Sequence, residues 1–265
     1  MMILYKYVPE ETLKLFFDHD ATSFKFTPVG QFNDPFETYG VSFASEDEDS
    51  LAHLTFRSKI NSDLASLCLS RSPLEVLMWS HYAQHHRGYV VGIDTELAGF
   101  HDENLCLITA NEGGIDYLDE RDKSRVIISD KNFKNKDIVK KVLFRKSQHW
   151  KYEKEVRIVI ESDKLIPIGD DEEDRFYIYK APDTNIIKEI FIGINNEDFE
   201  LTALENDNLR NGILDNNIKI QKCCFKRGTW DLDKTDYDMS LLTDWPSADF
   251  GILAGVISAF EKNEI

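Results

Sequence analysis

The chain has 265 residues, 42% hydrophobic and 12% aromatic, and a formal net charge of −17 from 48 acidic and 31 basic residues. That apolar content excludes a disordered chain, which cannot bury enough surface to fold. The sign of the charge opposes bulk binding to phosphate backbones, which would need a local basic groove.

Residues 2–7 read as a short strand, and Pro9 opens a helix to about residue 18 with Leu13, Phe16 and Phe17 on its apolar face. Residues 24–27 alternate as a strand that ends at Pro28. The stretch 29–38 holds the motif FNDPFE and is a loop, because Pro35 lacks a donor and restricts Asp34. A modest helix follows to about residue 60, then a buried strand over 64–69. Ser72-Pro73-Leu74-Glu75 has the order of a capping serine, a first-position proline and a reciprocal glutamate, which predicts a helix over 73–86 stopped by Gly88.

A strand over 89–93 follows, then strands over 105–109 and 114–118, a helix over 136–145, and strands over 152–160 and 176–179. A strand over 186–194, a polar helix near 197–209 and a strand over 218–225 close the set. Strands outnumber helices and do not alternate with them regularly. This predicts an α+β fold, a single domain with a mixed, mostly antiparallel split β core flanked by helices. The core spans residues 1–230 and a C-terminal extension spans 231–265: a turn-rich tail leads to a helix striped by Ile252, Leu253, Val256, Ile257 and Phe260, expected to dock on the body or to meet a partner.

Cys68, Cys106, Cys223 and Cys224 form no CxxC pair, so a zinc ribbon or disulfide scaffold is not expected and a reduced, cytoplasmic compartment is. The N-terminus has no secretory leader pattern, and the longest apolar stretch, 250–260, is shorter than the ~20 residues that cross a bilayer.

Three motifs carry candidate chemistry. In WKYEKEVR (150–157), strand alternation places Glu153, Glu155 and Arg157 on one face. Two carboxylates ~7 Å apart beside a fixed positive charge suit the orientation of hydroxyls or the stabilisation of an oxocarbenium ion. The competing account is an exposed salt-bridge ladder. Val156, Ile158 and Ile160 mark the core side, and the apolar density implies a bulge or burial on both faces. In MWSHYA, Trp79 and Tyr82 offer a platform for a flat ring or belong to the core. His81 and His85 lie one helical turn apart, yet no third ligand is evident, so hydrogen bonding outweighs metal binding. In FNDPFE, Asn33 and Asp34 fix a turn and Glu37 reaches a cleft or braces that turn. No phosphate loop, nucleophile elbow or dinucleotide fingerprint occurs, and Cys68 and Cys106 sit in apolar strands that disfavour a thiolate.

LYKY (4–7), FNDPFE, a strand ending in Ser70, MWSHYA…HHRGYVVGID and WKYEKEVR, in that order, resemble an uncharacterised bacterial and phage family with the pattern FNDPFE, MWxHYA, HxG and WxxExEWR. The resemblance covers about residues 3–225. It departs at Val156, where tryptophan is usual, which removes one aromatic wall. The layout also resembles, distantly, the ADP-ribosyltransferase fold. That resemblance implies NAD as substrate, with no metal. Lys6 or Tyr7 then takes the first-strand position, with Tyr5 beside them, and Ser70 takes the second. It also implies that Glu155 holds the ribose 2′-hydroxyl and stabilises the cationic sugar, that Glu153 positions the acceptor, and that Tyr82 or Trp79 stacks on nicotinamide.

The function expected on this basis is an NAD-consuming transferase or glycohydrolase, a toxin or phage-defence effector, with its acceptor unassigned. The alternative is a non-enzymatic inhibitory module in phage–host conflict, whose acidic surface or C-terminal helix engages a protein partner. A third reading is metal-dependent phosphoester cleavage through Asp34, Glu37, Glu153 and a histidine; the spacing gives it little support.

Overall fold

Alternation of apolar and polar residues at the start of the chain produces strand β1 (Ile3–Val8), which sends Leu4 and Val8 into the main core. The structure, a computed structural model, describes the chain except residues 18–21, 40–41, 44–45, 122–124, 127–133, 172–173, 184 and 244–265. Helix α1 (Glu10–Leu15) follows Pro9, then β2 (Ser23–Phe26), β3 (Ser42–Phe43), α2 (Glu46–Asp63) and β4 (Leu64–Ser70). Next come α3 (Val76–Tyr82), β5 (Tyr89–Asp94), β6 (Cys106–Ile108), β7 (Asp116–Leu118), β8 (Arg125–Val126), α4 (Lys136–Leu143) and β9 (Arg145–Ser147). The rest of the described chain forms β10 (Glu155–Glu161), β11 (Ile166–Ile168), β12 (Phe176–Lys180), β13 (Ile187–Ile192), α5 (Phe199–Glu205), α6 (Asp207–Asp215), β14 (Lys219–Phe225), β15 (Leu232–Asp236) and α7 (Ser240–Thr243).

Eight strands form one sheet in the order β15-β14-β13-β5-β1-β4-β10-β6, antiparallel throughout except for the β13–β14 pair. A second sheet has the order β11-β12-β2. The fold is α+β with a mixed, mostly antiparallel β core, as expected. The core is split at β4. Its end residue Ser70 pairs with Tyr5 of β1, whereas Ser66 bridges to Thr27 just beyond β2, so the sheet forks between β1 and β2. On one face α1, α5, α6 and the second sheet bury Leu13, Phe24, Phe26, Phe199 and Ile213. On the other, α3 contributes Met78 and Trp79, and α4 contributes Val139, Val142 and Leu143. Among the described residues no helix is long and apolar enough to cross a membrane.

Several local expectations change. The Ser72–Glu75 capping box does not form: α3 starts at Val76 after Glu75, which supplies no side-chain cap, and ends at Tyr82. Tyr7 explains the delay, because its hydroxyl donates to the Ser72 carbonyl and accepts from the Glu75 N–H, holding 72–75 out of the helix. Gln84, His85 and His86 then take left-handed backbone angles, so Gly88 is not the helix stop. It is glycine because a Cβ there would lie 2.4 Å from the Val8 carbonyl oxygen. The strand expected over 152–160 begins only at Glu155; Gln148–Glu153 is a 3₁₀ turn, ended by Lys154 in the left-handed region (φ 46°). The tail read as turn-rich supplies the edge strand β15. The apolar stripe 252–260 lies outside the described residues.

Candidate active site

Burial of β10 on both faces sets the site. Its even residues Val156, Ile158 and Ile160 pack in the main core, and the strand also carries a register shift against β6 between Val159 and Ile160. The odd residues Glu155 and Arg157 therefore point to the other side, where α4, β9 and the FNDPFE loop close over them. A cleft of about 320 Å³ opens there at the fork of the sheet, near the lower end of the usual size for a small-molecule site.

One hydrogen-bonded network joins the three motifs. Arg157 uses all five of its N–H donors: Nε donates to Glu155 Oε1 (2.7 Å), Nη2 to Glu155 Oε2 (3.1 Å) and Glu37 Oε2 (3.0 Å), and Nη1 to Glu37 Oε1 and the Leu143 carbonyl. The Phe32 ring lies over this guanidinium, 4.9 Å from centroid to carbon. Lys146, from β9, donates to Glu153 Oε2 (2.5 Å) and Glu155 Oε2 (3.2 Å). Tyr82 donates to Glu153 Oε1 (2.7 Å) and accepts from Asn33 Nδ2 (3.0 Å). Ser70 Oγ donates to the Glu153 carbonyl (2.7 Å) and fixes the turn that carries it. Glu37, Glu153, Glu155 and Arg157 are each at most 6% exposed, so the exposed salt-bridge ladder is ruled out as the account of these charges.

The two glutamates differ electrostatically. Burial works to raise the Glu155 carboxyl, but the charges of Arg157 and Lys146 outweigh it and hold the group at about 2. Burial also raises Glu153, and there Lys146 and Tyr82 do not cancel it; the charge of Glu155 adds to the upward shift. Glu155 is thus a fixed negative charge, and Glu153 has the greater affinity for a proton. Lys146 and Arg157 are raised: burial opposes their charge, and the neighbouring glutamates overcome it. Burial pushes the Cys68 thiol up to about 12, so it is no nucleophile.

Of the residues singled out from sequence, Tyr5, Lys6, Tyr7, Asn33, Glu37, Ser70, Tyr82, Glu153, Glu155 and Arg157 line this cleft. Tyr5, Ser70 and Glu155 stand in one register row across β1, β4 and β10. Four candidates lie elsewhere. Trp79 is fully buried, edge-on to Tyr7 and bonded through Nε1 to the Pro73 carbonyl, so it is core and not a stacking platform. His81 is exposed beside Tyr152, and the left-handed turn takes His85 out of helical register with it. Asp34 caps its own loop by accepting from the Phe36 N–H (2.9 Å) and lines a smaller pocket of about 200 Å³ with Arg121 and Arg145. Position 156 packs on the core side, so the tryptophan it lacks would not have walled the cleft. Among the described residues no three His, Cys, Asp or Glu side chains gather as a metal site would require.

Sequence reasoning missed Lys146, Lys25 and Ser66. Lys146 follows an amphipathic helix by a few residues and carries no motif. Its only signal is a lone buried-parity position in a three-residue strand.

A family model described as "Protein of unknown function (DUF2971)" matches residues 78–158. The matched stretch includes MWSHYA, Lys146 and WKYEKEVR, and stops short of β1 and FNDPFE. No curated protein and no solved structure matches the chain.

Proposed function

We propose that the cleft binds NAD and breaks its nicotinamide–ribose bond, passing the ADP-ribosyl group to an acceptor or to water. The observation that carries this reading is the register row Tyr5–Ser70–Glu155 at the fork of the sheet, with an ionised Glu155 beside a more basic Glu153. The C1′–N bond breaks with its electron pair leaving on the nicotinamide nitrogen. The positive charge left on the sugar falls against Glu155, whose low proton affinity keeps it ionised. The acceptor attacks C1′ and its proton passes to Glu153, which burial has made the stronger base. Tyr82, on the cleft wall, replaces Trp79 as the flat surface for the nicotinamide ring. Arg157 has no donor left for a substrate and acts by positioning Glu155 and Glu37.

The test is nicotinamide release from NAD by the wild type, Glu155→Gln and Glu153→Gln, with and without cell lysate as an acceptor source. Release by the wild type that Glu155→Gln abolishes supports the reading. No release under either condition refutes it and favours a second one, a binding module. That alternative draws on the hairpin between β14 and β15, where Phe225 is 82% and Trp230 99% exposed.

A further inference from the structure

Four cations line the cleft, and only two of them are neutralised. Lys146 and Arg157 are spent on Glu37, Glu153 and Glu155. Lys6 and Lys25 have no carboxylate within ion-pair distance among the described residues. Lys6 reaches across the fork to donate to the Cys68 carbonyl (2.9 Å), which leaves two of its three donors unused. Lys25 rests its ammonium over the Phe176 ring at 4.4 Å, and its charge bears unfavourably on Lys6. Between these elements lies a third unpaid group. Ser66 is 3% exposed, lines the cleft, and its hydroxyl has no hydrogen-bond partner. Its backbone is fully used in the bridge to Thr27, so the orphan is the side chain alone.

A buried hydroxyl without a partner costs stability, and so does the buried ammonium of Lys6, which the charge of Lys25 opposes further. One ligand class relieves all three. An anion with several acceptor oxygens neutralises both lysines and accepts from Ser66. A phosphoryl group has the oxygens and the charge for this, whereas a single carboxylate has fewer of both. We propose that the fork of the sheet is a phosphoryl subsite formed by Lys6, Lys25 and Ser66, beside the glutamate network. It deepens the reading above, on which its nucleotide form rests, by naming what holds the charged part of the substrate while the glutamates face the ribose.

Inorganic pyrophosphate is the probe, and binding is measured by calorimetry at low salt with the full chain. The wild type binds pyrophosphate. Lys25→Gln, an exposed position that leaves the fold intact, weakens binding roughly tenfold or more, the size of one charge-assisted hydrogen bond. Ser66→Ala weakens it about threefold or more with no loss of thermal stability, since it removes only the orphan hydroxyl. Lys226→Gln, on the distant hairpin, leaves binding unchanged. No binding by the wild type overturns the subsite, and so does equal weakening by Lys25→Gln and Lys226→Gln, which would mark diffuse electrostatics. Pyrophosphate binding without nicotinamide release sinks the reaction and keeps the subsite; release without pyrophosphate binding does the reverse.

Discussion

Replacing Arg157 by methionine removes the one group that satisfies both Glu37 and Glu155, and leaves two carboxylates facing each other at 5% and 6% exposure. Methionine fills much of the volume, so the cost is electrostatic more than steric. Breaking a buried ion pair from one side costs about 3–5 kcal/mol. With an unfolding entropy of ~2.1 cal/mol/K per residue, a chain of 265 residues has ~0.56 kcal/mol/K. The expected fall in Tm is therefore about 5–9 °C at neutral pH. Two further measurements bear on the cause. Glu37→Gln placed in the Arg157→Met background recovers part of the loss, because it removes one of the stranded charges. The deficit also narrows as pH falls, because the Glu155 carboxyl has lost the charge of Arg157 that held it low and takes up a proton more readily. Thermal unfolding followed by circular dichroism reads all three. A fall below about 2 °C, or strictly additive costs for the two substitutions, would refute the account of Arg157 as the hub of the network.

Three other outcomes follow from the same geometry. Glu155 is held at about 2 against an ordinary 4.5, so it contributes about 3 kcal/mol at neutral pH, fully present above about pH 4.5 and lost as pH falls toward 2. Urea midpoints measured across that window should lose this slope in Glu155→Gln, and an unchanged acid slope would count against the assignment. Tyr82→Phe removes a hydrogen bond that favours the charged form of Glu153, so the acid limb of the nicotinamide-release profile moves to higher pH; a limb that stays in place denies Glu153 the role of base. Trp79→Ala costs about 3–5 kcal/mol as a core truncation, whereas His81→Ala and His85→Ala stay within about 0.5 kcal/mol. Chemical denaturation of the three variants checks this, and a stable Trp79→Ala would return Trp79 to the surface.

The strands were legible where apolar residues alternate or run together, as in 64–69, 89–93 and 218–225, and so was the α+β class. Most of the site was legible too, because FNDPFE, Ser70, Tyr82 and the paired glutamates are residue types that rarely gather without a reason. Long-range pairing was not. Trp79 stayed open between a platform and the core because its helical stripe does not say which element covers it. The phenol of Tyr7 displaced the start of α3 from across the sheet, a contact over 65 positions that no local pattern records. Lys25 and Ser66 belong to the cleft only because the sheet forks at β4, where β2 arrives from far away in the sequence, and Lys146 only because β9, paired with β7, carries it to the glutamates. Residues 10–15 stayed helical as expected, though the helix stops before Phe16 and Phe17.

The distinction between Glu153 and Glu155 traces to one backbone residue. In a regular strand, residues two apart have their Cα atoms ~7 Å apart and their side chains on one face. Here Lys154 turns left-handed between the 3₁₀ turn and β10, and Lys146 reaches both carboxylates, from opposite ends of that turn. Its backbone is pinned on both sides: its carbonyl accepts from the Arg71 N–H (3.0 Å) and its N–H donates to the Lys151 carbonyl (3.2 Å). Its side-chain pair with Glu75 is half exposed and adds little. The conformation, not the charge of Lys154, therefore sets the geometry. Lys154→Gly relieves the left-handed strain and keeps stability within about 1 kcal/mol and the Glu153–Lys146–Glu155 contact intact. Lys154→Val, β-branched and averse to that region, costs about 1–2 kcal/mol or forces the turn into a strand that separates the carboxylates. Urea unfolding measures the first effect. The pH profile of nicotinamide release measures the second, since Glu153 freed from Lys146 titrates differently. Equal behaviour of the glycine and valine variants would mean that the left-handed turn is not what brings the two glutamates together.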